Sequence, residues 1–79
     1  MEKGMKNKYE LRNRVKVRLA ELDMQQTDLA ERLGVTKQTL NGWVKGRTSP
    51  SLLEAFVIAE LLGCKTDDLW EIREKNTGV

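Results

Sequence analysis

The 79-residue chain has no histidine and only one cysteine, Cys64. Without imidazole it lacks the side chain best suited to general acid–base work near neutral pH, and no serine or cysteine stands beside a base that would activate it. It also has no glycine-rich loop of the phosphate-cradling kind, and its carboxylates fall on expected helix starts or solvated faces, so an enzyme is the weakest reading. A lone cysteine cannot close an intramolecular disulfide, and a four-ligand zinc site is implausible without histidine. No metal or other cofactor is expected, and Cys64, just after Gly63, reads as a small buried hydrophobe.

Aromatic residues are as scarce: Tyr9, Trp43, Phe56 and Trp70 are all there are. Trp43 and Phe56 occupy core spacings, which leaves little for stacking on single-stranded RNA. No run of about 18 apolar residues exists, so a helical membrane span is excluded. The first 20 residues are too charged for a secretory hydrophobic region, and a cytoplasmic location is expected. A chain this short has room for one domain with a modest core.

The charge is present in both signs and unevenly placed. The net charge is only +2, but residues 1–18 carry seven Lys/Arg against two acids, and residues 36–48 carry three basic residues and no acid. Residues 19–35 and 49–79 are each net −3. A fold that brought the two basic segments to one face would attract a polyanion despite the near-neutral total.

The stretch around which the chain is organised is residues 25–47, QQTDLAERLGVTKQTLNGWVKGR. Leu29, Ala30 and Leu33 repeat at helical spacing, as do Leu40, Trp43 and Val44, so each half has one face to bury. Between them Gly34 stands where a helix ends in a left-handed residue, and Thr36 is placed to cap the next helix. The run from Gln26 to Trp43 resembles the helix-turn-helix of the phage-repressor type, the XRE-like bacterial regulators. The resemblance continues through Gly46, Pro50-Ser51-Leu52, Ile58-Ala59, Leu62-Gly63 and Asp67-Asp68-Leu69, covering roughly residues 11 to 70 in register. It implies an all-α, compact five-helix domain over residues 7–74, with a flexible arm at 1–6 and a frayed end at 75–79.

In chain order, Lys3 and Lys6 lie on the arm, which reads either as solvated or as reaching a nucleic-acid groove. Asn7 and Glu10 have capping-box spacing, predicting a helix to about Leu22 with Leu11, Val15, Leu19 and Leu22 inward. Arg12, Arg14, Lys16 and Arg18 then face outward, as a solvated surface or with Arg14 and Arg18 meeting phosphates. Asp23 and Met24 end this helix, with Met24 filling a corner of the core. Gln25 stands where the family usually has Ser, Thr or Asn, so a later or softer helix start is expected.

The helix after Thr36 is the candidate reader. With Leu40, Trp43 and Val44 inward, Lys37, Gln38, Asn41, Gly42 and Lys45 are left outward, and a helix fits a major groove. Gln38 and Asn41 match adenine and Lys37 matches guanine. The family register implies base reading at Lys37, Gln38, Asn41 and Gly42, and phosphate contacts from Arg14, Gln26, Thr27, Thr36, Thr39, Lys45, Arg47 and Thr48. Gly42 has no side chain to read with; either its backbone approaches DNA closely or the position has no readout. Relatives often pair a glutamate at the position of Val44 with an arginine at that of Leu19, so both members of the pair have become apolar here and are expected to pack together.

Ser51 and Glu54 form a capping box opening a helix to about Leu62, with Leu52, Ala55, Phe56, Ala59 and Leu62 as the expected inward stripe. A second stripe, Leu53, Val57 and Leu61, leaves the helix apolar nearly all round, which signals cover on both sides. Thr66 reads as the cap of a last short helix carrying Leu69, Trp70 and Ile72. Leu53, Val57, Leu61, Trp70 and Ile72 are the expected homodimer contact.

Two functions compete. One is a sequence-specific double-stranded DNA-binding regulator, a repressor by expectation, acting as a homodimer on an inverted repeat. The other is an antitoxin-like or anti-repressor module whose apolar stripe takes a regulatory protein partner.

Overall fold

The computed structural model describes residues 8–75. The expected capping box at Asn7, the arm at residues 1–6 and residues 76–79 lie outside them. The order of elements is β1 (Tyr9–Asn13), α1 (Val15–Glu21), α2 (Gln26–Leu33), α3 (Lys37–Val44), α4 (Leu52–Leu61), α5 (Thr66–Leu69) and β2 (Trp70–Glu74). Five helices are present as expected, but the fold is not purely helical. The segment read as the first half of the opening helix is β1, and Trp70 and Ile72, expected on the last helix, are on β2.

The two strands pair antiparallel, Leu11 opposite Ile72 and Asn13 opposite Trp70. Both alternate in the way a strand requires: Tyr9, Leu11 and Asn13 against Glu10 and Arg12, and Trp70 and Ile72 against Glu71 and Arg73. One face of the ribbon is therefore largely apolar. The other carries Glu10 opposite Arg73 and Arg12 opposite Glu71.

The core comprises Val15, Leu19, Leu29, Ala30, Leu40, Trp43, Ile58, Ala59, Leu62 and Leu69, so every helix contributes. Leu11, expected inward, is exposed because it belongs to the ribbon, and Leu22 is exposed as well. Met24 and Cys64 are partly buried against the core. On α4 the inward residues are Ile58, Ala59 and Leu62, while Leu52 and Phe56 face out, 74% and 54% exposed. Of the expected inward stripe Ala59 and Leu62 are buried and Ala55 is half-buried, but Leu52 and Phe56 are not inward and Ile58 takes their place: a helix apolar on all sides carries no pattern that fixes its rotation.

Helix ends are closed by side chains and turns the sequence supplies. Glu54 N–H donates to Ser51 Oγ (3.1 Å) and Ser51 N–H to Glu54 Oε1 (2.8 Å), the expected capping box. α5 is capped by Lys65 rather than Thr66, with Lys65 N–H donating to Asp68 Oδ2 at 3.1 Å. α2 begins directly after Gln25, whose N–H reaches Asp28 Oδ2 at a long 3.4 Å. Gln25 thus leaves the helix start in place, and its carbonyl accepts the Asp28 N–H at 3.1 Å and the Leu29 N–H at 3.2 Å. Gly34 ends α2 at φ +77, where Val35 N–H turns back to Ala30 O at 3.1 Å.

Candidate nucleic-acid interface

The turn at Gly34 and Val35 sets α2 and α3 against each other, with Leu29 and Leu40 fully enclosed between the helices and α4. Thr36 accepts the Thr39 N–H on Oγ1 at 3.1 Å, starting α3 at Lys37. Its hydroxyl also donates to Thr39 Oγ1 at 2.9 Å. Thr36 is therefore committed as a cap, while Thr39 keeps its own hydroxyl proton for an outside acceptor.

Gln26 and Thr27 at the start of α2 line one shallow recess together with Lys37, Gln38 and Asn41 of α3. Lys37 and Gln38 are exposed and Asn41 is half-buried. Five of the residues expected at the site thus converge from two helices. Lys45, Arg47 and Thr48 are exposed at the far end of α3 and in the loop after it. Among the described residues the ion pairs are Arg12–Glu10, Arg18–Glu21 and Arg73–Glu71, so Lys37, Lys45 and Arg47 are not neutralised by a pair. Lys37, at the first position of α3, adds its charge to the positive end of the helix dipole, while Lys45 and Arg47 lie at the opposite end.

Gly42 does not line the recess. A Cβ there would come 3.2 Å from Thr48 Oγ1, and Arg47 N–H bonds Gly42 O at 2.9 Å. The loop folds back over the helix at this point, an explanation for the glycine that neither sequence alternative contained. Arg14 also stands apart. It lines a separate concavity with Lys65, Asp67, Asp68 and Glu71 and not the recess of Gln26, Thr27, Lys37, Gln38 and Asn41.

Two polar residues have roles that sequence reasoning did not find. Asn13 Nδ2 donates to Trp43 O (3.0 Å) and Val44 O (3.3 Å), while its Oδ1 accepts Val15 N–H (3.1 Å). One side chain thus starts α1 and closes the end of α3; the signal was an Asn two residues before an apolar helical run, hidden by placing the helix start at Asn7. Arg18, read as a surface or phosphate residue, donates from Nε to Leu62 O at 3.0 Å and caps α4.

The expected dimer residues divide. Leu53 and Ile72 are 73% and 66% exposed, and Val57 is exposed, but Leu61 and Trp70 pack partly against the core. Leu52, Phe56 and Leu11 join the exposed set and, with Pro50, Ala55, Trp70 and Ile72, line an apolar groove between α4 and the ribbon. Among the described residues no helix is long and apolar enough to cross a membrane, and no cluster of three or more His, Cys, Asp or Glu is placed to hold a metal.

A family model described as helix-turn-helix matches residues 15–69. An HTH-type transcriptional regulator of Methanocaldococcus jannaschii is 40% identical over 60 residues, 76% of this chain and 91% of that protein. Another, YgzD of Bacillus subtilis, is 36% identical over 66 residues, 84% of this chain and 100% of that protein. The crystal structure of a candidate DNA-binding protein from Bacteroides fragilis superposes with a TM-score of 0.73 at 34% identity, covering 77% of this chain and 98% of that one.

Proposed function

The chain belongs to the helix-turn-helix family, of the phage-repressor, XRE-like type, and on that premise we propose that it is a sequence-specific double-stranded DNA-binding transcriptional regulator. It acts as a homodimeric repressor on an inverted-repeat operator. The observation that carries this reading is the convergence of Gln26, Thr27, Lys37, Gln38 and Asn41 on one exposed recess at the N-terminal half of α3. The major groove of B-form DNA, about 12 Å wide, accepts the exposed side of a helix, and amide and ammonium side chains match the donor and acceptor edges of base pairs.

In this arrangement Lys37, Gln38 and Asn41 read bases, while Gln26, Thr27 and Thr39 hold phosphates beside them. Lys45, Arg47 and Thr48 track the backbone further along without reading sequence. Thr36 serves α3 as its cap, and its phosphate contact is limited to the backbone N–H. Gly42 contributes no base contact of its own, being occupied by the returning loop. Arg14 is left out of the phosphate set because it shares its recess with Asp67, Asp68 and Glu71.

The test is selection of bound duplexes from a random pool with the native chain and with Gln38→Ala. The native chain should enrich an inverted repeat, and Gln38→Ala should relax one or two positions in each half-site at a cost of about 1–3 kcal/mol there. Uniform weakening across all sequences would remove Gln38 from the base-reading set.

A further inference from the structure

The ribbon of β1 and β2 has two free edges and one apolar face that the rest of the chain only partly covers, and an isolated two-stranded ribbon is marginal in water. Its hydrogen-bond parity is fixed at both ends: Lys75 N–H donates to Lys8 O at 2.7 Å, and Arg14 N–H to Leu69 O at 2.7 Å. In an antiparallel ladder the bonded pairs alternate, so Glu10 with Arg73 and Arg12 with Glu71 are bonded pairs. Tyr9, Leu11, Ile72 and Glu74 therefore turn their backbone N–H groups outward. On β2 the outward groups are the N–H and C=O of Ile72, the N–H and C=O of Glu74 and the C=O of Trp70; the Trp70 N–H is bonded to Thr66 O.

The geometry points to a second copy of this chain as the occupant of that edge, with β2 pairing antiparallel to itself about a two-fold axis at Ile72. The inference rests on the homodimer reading and specifies its surface. This register opposes Ile72 to Ile72 and Trp70 to Glu74, and it sets Glu71 of each copy opposite Arg73 of the other. Each charged row across the resulting four strands then runs Arg12, Glu71, Arg73, Glu10 with strictly alternating sign, because the first two and last two are already opposed within each ribbon. Moving the axis to residue 71 or 73 would instead oppose Glu71 to Glu71 or Arg73 to Arg73, like charges directly across the joint.

The two-fold axis is perpendicular to the sheet, so the apolar faces of both ribbons lie on the same side. Leu52 and Phe56 of both α4 helices border that side, and Ile72, two-thirds exposed in one chain, becomes central. The β1 edge is the poorer choice although its charges would alternate as well. Leu11 and Asn13 share a recess with Gly46, Thr48 and Ser49, so the loop after α3 runs beside β1.

Amide hydrogen exchange and sedimentation equilibrium on the full chain test this. Above the dimer dissociation constant, the amides of Ile72 and Glu74 should exchange at least about tenfold more slowly than those of Tyr9 and Leu11, and dilution should erase the difference. Glu74→Pro removes an outward N–H while sparing the ribbon ladder, and it should weaken dimerisation about tenfold or more relative to Glu74→Ala. A native dimer in which Ile72 and Glu74 exchange as fast as Tyr9 and Leu11, or in which Glu74→Pro and Glu74→Ala associate equally, overturns the edge pairing and leaves the homodimer reading standing. Protection of Tyr9 and Leu11 instead moves the joint to β1 and likewise overturns it. A chain that stays monomeric at all concentrations defeats both the pairing and the homodimer, while the duplex selection with Gln38→Ala still decides base reading separately.

Discussion

Asn13 ties the end of α3 to the start of α1 through one side chain. Its amide nitrogen holds the Trp43 and Val44 carbonyls at the end of α3, and its amide oxygen starts α1. Asn13→Ala leaves the Val44 carbonyl and the Val15 N–H without protein partners, while the Trp43 carbonyl keeps the Gly46 N–H, a loss of about 1–3 kcal/mol measurable in urea unfolding. Asn13→Asp keeps the acceptor for Val15 but sets a carboxylate against two carbonyl oxygens, so it should destabilise at least as much as alanine; a neutral result would show that the α3 bonds contribute nothing. Residues of this kind were the least legible in the sequence. The caps at Thr36 and Ser51 act over three positions and could be read directly, whereas Asn13 and Arg18 act on carbonyls 30 and 44 positions away.

At the level of elements, α2 and α3 were legible because everything that defines them is local: two apolar stripes, a glycine turn and a threonine cap. The ribbon was not, since each strand finds its partner only at the other end of the chain, and the i, i+4 spacing of Leu11, Val15 and Leu19 imitated one continuous helix. The rotation of α4 was lost for a different reason. Residues follow one another by about 100° around a helix, and with apolar residues at nearly every angle, the sequence placed Ala59 and Leu62 inward, but only the docked structure shows that Ile58 joins them and that Leu52 and Phe56 do not. The junction of α1 and α3 offers a sharper test. Val44 is half-buried against the core that contains Leu19. Val44→Glu should cost about 2 kcal/mol, below the roughly 3–5 of a fully buried unpaired charge. Adding Leu19→Arg should recover at least half of that by rebuilding the ion pair common in the family. If the two effects simply add in thermal unfolding, the side chains are not in contact.

For the molecule as a whole, the small net charge conceals a division between a basic reading side and acidic segments elsewhere. With Lys45 and Arg47 of each of two protomers on the backbone and Lys37 of each in the groove between the phosphates, six cations displace counterions, and the logarithm of the binding constant should fall against log salt with a slope of about −5. Lys45→Gln should bring that slope to about −3.5 with the selected sequence unchanged; an unaltered slope would place Lys45 away from the duplex. The clasp between the first and last strands carries a consequence for the order of events in synthesis. The helices proposed to meet DNA lie wholly between the strands, so they can settle while the tail is still being made, but Lys8 has nothing to accept from until Lys75 exists. Closing so large a loop is entropically the hardest step and falls last. A newborn copy would therefore acquire its grip on bases before its ability to recruit a twin, and truncation within the last strand would leave a folded but solitary reader.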